Sequence, residues 1–582
     1  MQQQTTTDRQ IEQAEEILGE RLQKASFAKA LFSGRFLAEQ LPPYPLEVDE
    51  QTRGRVEQLR EFCRTSIDPV AIDRQASIPQ SVVQGLGRLG VLGACLPASC
   101  GGLGLSQTSY CRLLEVLGGH CASTALFVNA HHSIGPRAIV LFGTPQQQQR
   151  WLPRLATGEW ISAFALTEPQ AGSDAANVQT RATPAPDGSG FVLNGEKRWI
   201  TNGSIAQVLT VMARTGEQES KSGITAFLVT PDMPGFQVVE PRMEKCGVRG
   251  TVTSRLRFEN MFVPRDHVLG AIGKGLRIAL TVLDYGRTTF GASCTGAAKT
   301  CLALAKEHVR QRIQFGRPLA GFELVQDKIA RMHAAIFAME ACTYQTAALI
   351  DAGLSDFMVE TAMLKVFTTE QLWQIIYDTF QLHGGLAYFT DQPFERMMRD
   401  ARINSIGEGA NDVLRVFAAL VGMREVGEEL QRLLDAVRRP IGHLSELGTF
   451  AGRRLARWLV GPEMPDYPAG LEPWPARVAA NVAALAAMVE KLLVEHQQQI
   501  VERQCQVARL SDAATELYVS ACVLQRLKAM LRRDHDQAAS DPDFHAGLLY
   551  LRLADRRIAQ NLHAVRDNDD APILEHARRL LQ

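Results

Sequence analysis

Residues 402–415 read RINSIGEGANDVLR, and the stretch sets a single carboxylate, Glu408, between Gly407 and Gly409, just ahead of Asn411 and Asp412. Either of those polar side chains can cap the helix that follows, whose apolar positions Val413, Leu414, Phe417, Leu420 and Val421 recur at helical spacing. Glycines on both sides of an acid relieve the clashes of an unusual backbone conformation and let a ligand come close to the main chain, so the carboxylate can be aimed into a cleft. A solvated Gly-Glu-Gly connector uses the same residues. The rest of the chain decides between these readings.

A chain of 582 residues with 46% hydrophobic and 21% charged residues has material for roughly two to four globular domains. The formal charge of -1 supplies no global field for nucleic acid, so no nucleic-acid partner is expected and an anionic ligand must be held by local groups. The 11 cysteines are scattered without a C-x-x-C pair, which fits a reducing compartment and predicts neither a metal site nor a disulfide framework. The opening MQQQTTTDRQIEQAEEILGE contains acids and has no apolar secretory core. A cytoplasmic protein is expected, or a mitochondrial matrix protein if a presequence is missing. No apolar run is long enough to span a bilayer.

Residues 1–160 read as helical, through EQAEEILGERLQKASFAKALF, TRGRVEQLREFCRTS, SVVQGLGRLGVLG and QQQQRWLPRLATG. Gly85, Gly87 and Gly90 satisfy G-x-G-x-x-G, but no strand precedes them and no helix follows, so a dinucleotide-binding fingerprint is rejected. From 161 to 270 the pattern changes to period two, with a DGSG turn at 187–190 and an Asn194-Gly195 pair suited to a tight hairpin. Residues 271–435 return to helices, where Gly291, Ala292, Ser293 and Gly296 allow close helix approach. A proline-rich connector at 461–475 leads into the rest of an extra helical region spanning 436–582. Within it GTFAGRRLARWLVG is either an interfacial helix making peripheral membrane contact or a basic surface helix packed on its neighbour.

Two stretches of the β region carry polar groups suited to a heteroaromatic ligand. In FALTEPQAGSD, 164–174, a strand-like run leads to Thr167 and a Pro/Gly-broken loop exposes backbone N–H groups and the Ser173 hydroxyl, which otherwise stabilise a turn. In KRWITNG, 197–203, alternation puts Trp199 and Thr201 on one side, so a ring and a hydroxyl can meet the same planar group unless Trp199 packs in a core.

These stretches, with QRIQFGRP, QLHGG, RMMRDARI and GEGANDVLR in order, resemble the acyl-CoA dehydrogenase family over residues 50–430. SFAKALFSGRF with LPPYP, AHHSIG and the long C-terminal extension look most like its very-long-chain branch and a relative that acts as a respiratory complex assembly factor. The resemblance implies a mixed, mainly α fold: a helical N-terminal domain, a middle β-barrel-like domain and a C-terminal four-helix bundle, with FAD at their junction and an extra helical domain beyond. It implies that Phe164, Leu166 and Thr167 line the isoalloxazine, that Thr201 hydrogen-bonds flavin N5, and that Trp199 and Ile200 lie by the ring. Ser173 would contact the cofactor phosphate or the thioester ligand. Arg312, Phe315, Gln326 and the loop Gln381, Leu382, His383, Gly384 and Gly385 would reach the FAD of a neighbouring subunit, giving a homodimer or higher oligomer.

By the same resemblance Glu408 is the catalytic base. It would abstract the α-proton of a long-chain acyl-CoA thioester, while the β-hydride goes to flavin N5 and electrons pass on to an electron-transfer flavoprotein. Asp284, Arg287 and Gly409 would serve the substrate or the Glu408 loop; Ala410 and Asp412 would lie by the cofactor. Ala410 replaces a threonine common in the family, and Tyr285 replaces a smaller residue. A scaffold that keeps the fold without the chemistry, and an acyl-CoA oxidase, are the alternatives. Phe127 either shortens an acyl tunnel or packs in the core; His131 and His132 read as structural.

Overall fold

The computed structural model describes residues 26–216, 223–438 and 461–582. Its first part is helical. The Phe27–Phe32 helix is wholly buried and is started by Ser26, whose side chain accepts from the Lys29 N–H. The Pro145–Thr157 helix opens on a reciprocal capping box between Thr144 and Gln147, which satisfies two amides that the helix itself cannot. Between them lies α1 (Gln107–His120), the helix that meets the bundle.

The glycines of the rejected dinucleotide motif serve packing. Gly85 and Gly87 lie in the Gln80–Arg88 helix, where an added Cβ would stand 2.2 Å from the Phe62 ring and 2.3 Å from the Thr157 carbonyl oxygen.

The middle part is one sheet of eight strands: β1 (Ser162–Ala165), β2 (Arg181–Pro184), β3 (Gly190–Thr201), β4 (Val208–Thr215), β5 (Ile224–Val229), β6 (Phe236–Glu240), β7 (Thr253–Pro264) and β8 (Val268–Leu269). The order is β6-β7-β3-β2-β4-β5-β8, with β1 parallel to β4 so that Phe164 stands opposite Thr210. The hairpin expected at Asn194-Gly195 is not there. Both residues lie inside β3 at a register shift against β7, where the Asn194 side chain accepts from the Asn260 N–H and a Cβ on Gly195 would stand 2.4 Å from Thr180 Oγ1. Close approach by Thr180, rather than a turn, accounts for the glycine. The turn comes earlier, where Asp187 accepts from the Ser189 N–H beside Gly188.

The bundle consists of α2 (Gly275–Gln311), α3 (Glu323–Asp351), α4 (Met358–His383) and α5 (Asn411–Arg438). The small residues of α2 let it lie against α1: a Cβ on Gly296 would meet the Glu115 carbonyl oxygen at 1.9 Å, and one on Gly118 would meet that of Ser293 at 2.3 Å. Beyond the connector come α6 (Trp474–His496), α7 (Gln504–Arg533) and α8 (Pro542–Ala564), whose apolar faces merge with the bundle and with Phe27 and Phe32 in one hydrophobic core. Residues 448–460 of the stretch read as a possible interfacial helix lie outside the described residues. Among the described residues, no helix is long and apolar enough to cross a membrane.

Candidate active site

Glu408 has φ +57 and Gly409 φ +98, so the turn ahead of α5 runs through two successive left-handed residues, the first of them an acid. A non-glycine residue in that region is held there by its surroundings, and the restraints are visible. Lys365, from α4, donates to the Gly409 carbonyl oxygen at 2.7 Å and to Asn411 Oδ1 at 2.9 Å. Arg287, from α2, reaches the Glu408 carbonyl oxygen at 3.4 Å and pairs with Asp284 at 2.8 Å. Asn411 does not cap the helix as expected. It is the first residue of α5, 5% exposed, and its amide bridges Lys365 to Thr369 and Glu370. A buried ammonium needs acceptors more than the helix needs another cap.

The Glu408 carboxylate is turned inward although the residue as a whole is partly open. Oε1 accepts from Asn129 Nδ2 at 3.0 Å, whereas Oε2 is buried without a hydrogen-bond partner among the described residues. Oε2 looks toward Gly286, where a Cβ would come within 2.8 Å of it. Burial pushes the carboxyl up to about 7, against the opposing pull of Arg287, Lys365 and the Asn129 amide. Burial likewise brings Lys365 down to about 7, with Arg287 acting in the same direction and Glu408 against it.

Beside the acid lies a cavity of about 140 Å³ lined by Leu126, Asn129, Phe290, Ala297, Leu304 and Ile376 among others. Phe127 belongs to the hydrophobic core at 2% exposure. His131 and His132 are fully buried: His131 bonds the Leu155 carbonyl oxygen and the Ser162 N–H, and His132 bonds the Leu92 carbonyl oxygen and the Cys95 N–H. Each imidazole is thereby spent on structure. Tyr285 stands edge-on to Phe357 with the Arg137 guanidinium 4.6 Å from its ring centroid.

A second group of residues gathers on the open edge of the sheet. Along β1, Ala163 and Ala165 are in the core while Phe164 is partly open, and Leu166 and Thr167 continue that half-open strip. The Arg198 N–H donates to the Thr167 carbonyl oxygen at 3.0 Å, which docks the strip on β3. Between Lys197 and Ile200, β3 carries one extra residue relative to β7, and Trp199 sits there with φ +58 and 53% exposure. The bulge turns the indole outward. Thr201 is half-buried, whereas Ile200 is 2% exposed in the sheet core, so only its main chain can meet a cofactor. Ser173 is exposed in the following loop, where a Cβ on Gly172 would meet nothing. Apolar faces, an outward indole and partly open hydroxyls fit a flavin ring.

Other sequence-predicted positions form a third group. His308 stacks on His383 with centroids 4.3 Å apart, joining the ends of α2 and α4 and placing Arg312–Phe315 and the Gln381–Gly385 loop at one end of the bundle. Phe315 is 94% exposed there, with Arg312, Gln326, Gln381, Gly384 and Gly385 also at the surface; Leu382 and His383 are buried. Ala410 is half-buried, and the Asp412 side chain lies in solvent 3.6 Å from Arg415.

Three groups that hold the candidate site were not singled out as individual residues by the sequence pattern. Lys365 was signalled by a lone lysine in the apolar run AMLKVF at 362–367, and Asn129 by an amide just before the AHHSIG segment. The third is the buried pair of Lys197 and Glu168 at 2.7 Å. Lys197 also donates to the Leu166 carbonyl oxygen, and Glu168 accepts from the Thr180 N–H, so the pair fastens the loop after β1 to β3.

A half-open aromatic strip on a sheet, and a buried acid between a glycine-relieved turn and an apolar cavity, are the parts of a flavoprotein dehydrogenase. Matches to known proteins give the family. Residues 49–159, 163–261 and 273–421 match the N-terminal, middle and C-terminal domains of acyl-CoA dehydrogenases, and residues 470–579 match the ACAD9/ACADV C-terminal domain. The human mitochondrial very long-chain specific acyl-CoA dehydrogenase is 37% identical over 441 residues, 74% of this chain and 67% of that protein. A crystal structure of a Bacillus anthracis acyl-CoA dehydrogenase complexed with FAD superposes with a TM-score of 0.79 at 26% identity, covering 96% of each chain. Butyryl-CoA dehydrogenase from Megasphaera elsdenii gives 0.61 at 33% identity, covering 63% of this chain and 97% of that one. The chain belongs to the acyl-CoA dehydrogenase family, whose members are FAD-dependent oxidoreductases.

Proposed function

We propose that this protein oxidises long, straight-chain fatty acyl-CoA thioesters to trans-2-enoyl-CoA, with Glu408 as the base that removes the α-proton. The observation that carries the reading is the pair of unequal oxygens on Glu408: Oε1 is held by Asn129, and Oε2 is buried, has no partner among the described residues and can take a proton. A carboxyl poised near 7 is a stronger base than an exposed one and is still ionised in part at neutral pH. Arg287 and Lys365 hold the loop by its carbonyl oxygens and make no bond to the carboxylate itself.

FAD, when bound, supplies the acceptor for the β-hydride. Phe164, Leu166, Thr167, Trp199 and Thr201 would hold its ring, with Ser173, Ala410 and Asp412 further out and Ile200 contributing main chain. Arg312, Phe315, Gln326 and the 381–385 loop would be given to the FAD of a second copy. The exposure of Ile313, Phe315, Tyr388 and Phe389 at that end of the bundle supports a homodimer, because such side chains are costly to leave in water. Gly409, Asp284 and Arg287 would flank the thioester. The apolar cavity beside Asn129 supports a long acyl chain. An electron-transfer flavoprotein is the proposed acceptor. The 11 free cysteines suit a reducing compartment.

The test is anaerobic titration of the purified protein with acyl-CoA of increasing length. Loss of flavin absorbance, strongest with long chains such as palmitoyl-CoA, is expected. No bleaching with any acyl-CoA would favour a scaffold with this fold, and stoichiometric peroxide in air would favour an oxidase.

A further inference from the structure

Asn129 serves the acid and the cavity at once. It begins the π-helical turn Asn129–Ser133, is 2% exposed, donates from Nδ2 to Glu408 Oε1 and also lines the apolar cavity. An ionised carboxylate only accepts, so the amide must present its nitrogen to Glu408 and its oxygen the other way. That oxygen faces the Thr289 hydroxyl, whose one proton is shared between it and the Gly286 carbonyl oxygen at 2.8 Å; the hydroxyl lies 3.2 Å from Ser133 Oγ, itself 3.3 Å from the Tyr110 hydroxyl. The amide is thus fixed at both ends. A π-turn inserts one residue into a helix and re-aims a side chain, a device common at functional sites.

We propose that Asn129 is a positioning residue that couples occupancy of the acyl cavity to the readiness of Glu408. Without an acyl chain beyond it, the amide holds Oε1. A chain long enough to pass Asn129 packs against that amide, weakens its bond to Oε1 and leaves a less solvated, more basic carboxylate. A chain of only a few carbons stops before it and leaves the bond intact, so chain length is read in kcat as well as in KM. This rests on Glu408 being the base.

The charged groups facing Glu408 are Arg287 from α2, itself paired with Asp284, and Lys365 from α4, which feels Glu370 and Cys294. The π-turn adds no charge of its own, since His131 and His132 are held neutral by burial. Changing Asn129 therefore alters the carboxylate through one hydrogen bond and leaves both cations in place.

The experiment compares wild-type holoenzyme with Asn129→Ala and Asn129→Asp, measuring kcat and KM for butyryl-CoA and palmitoyl-CoA across pH. A lost donor to the ionised form raises a carboxyl pKa, so the acid limb of kcat/KM should move up by about one unit in Asn129→Ala. The palmitoyl to butyryl ratio of kcat should fall about tenfold, which is the same shift of about 1.4 kcal/mol expressed in rate. The near-isosteric Asn129→Asp sets a second carboxylate against the first and should move the limb further up. If Asn129→Ala loses FAD, Asn129→Asp decides alone. A variant that keeps its flavin with an unmoved acid limb and an unchanged length ratio overturns the proposal. Glu408→Gln separates the two claims: retained turnover there defeats the base assignment, whereas an inactive Glu408→Gln beside unaffected Asn129 variants defeats only the coupling.

Discussion

Glu408 and Glu340 are carboxylates of one bundle with opposite surroundings. Burial raises both, but Glu340 receives Lys299 and Arg526, each at 2.8 Å, and the two cations outweigh burial and hold it well below the usual carboxylate range. Glu408 has two cations nearby that bond the main chain of its loop, one amide on Oε1, and, among the described residues, nothing on Oε2. Partners on both oxygens make a carboxylate a strut between helices; partners withheld from one oxygen leave it able to accept a proton. Glu360 marks the limit of that rule. Burial also pushes it up to about 7, yet it is 0% exposed, accepts from the Ala28 N–H and lines neither cavity nor open strip. A shifted carboxyl becomes a candidate base only where a substrate can reach it.

The contrast can be broken most forcefully at Arg526, which joins α7 to α3 through Glu340 and lies with its guanidinium 3.9 Å from the Phe337 ring centroid. Arg526→Met leaves a buried acid with one cation fewer and should cost on the order of 3–5 kcal/mol of stability, read by chemical denaturation. Turnover per folded, flavin-loaded molecule should stay within a factor of about two, as the pair is structural.

Lys365→Met should do the reverse. It removes a cation that lowers the Glu408 pKa and frees the Gly409 carbonyl oxygen. The acid limb of kcat/KM should rise by roughly one unit, with kcat down on the order of tenfold, while the denaturation midpoint moves little because a desolvated ammonium is lost as well. An unmoved limb would place Lys365 with the struts.

The smallest effect is expected at Glu360. Its folded pKa of about 7 lies above the ordinary 4.5, so the carboxyl favours the folded state at low pH and that contribution fades as pH rises through this window. Glu360→Gln should flatten the decline of Tm between pH 4.5 and about 7, a difference of about 1–3 kcal/mol in the wild type. An equally steep decline in the variant would refute the assignment.

The local pattern of the chain carried much of this arrangement. FVLNGEKRWITNG alternates because β3 has one buried face, and the Glu408 turn showed itself through its glycines. Asn194-Gly195 misled because a glycine demanded by close approach to Thr180 looks the same as one demanded by a turn. Alternation alone would not reveal that a bulge, set by the pairing with β7, leaves Trp199 outside and Ile200 inside. Asn129 and Lys365 lie 279 and 44 residues from the loop atoms they bind, and no local pattern encodes such a meeting. The resemblance to a family named the base; the three-dimensional arrangement shows what tunes it.

The central claim is that Glu408 takes the substrate's proton, and it is tested most directly by rapid anaerobic mixing of palmitoyl-CoA with wild-type protein and with Glu408→Gln, following flavin absorbance. Wild type should bleach, and the variant, still yellow and still binding acyl-CoA, should reduce its flavin at least about 10³-fold more slowly. Bleaching of Glu408→Gln at the wild-type rate would contradict the account.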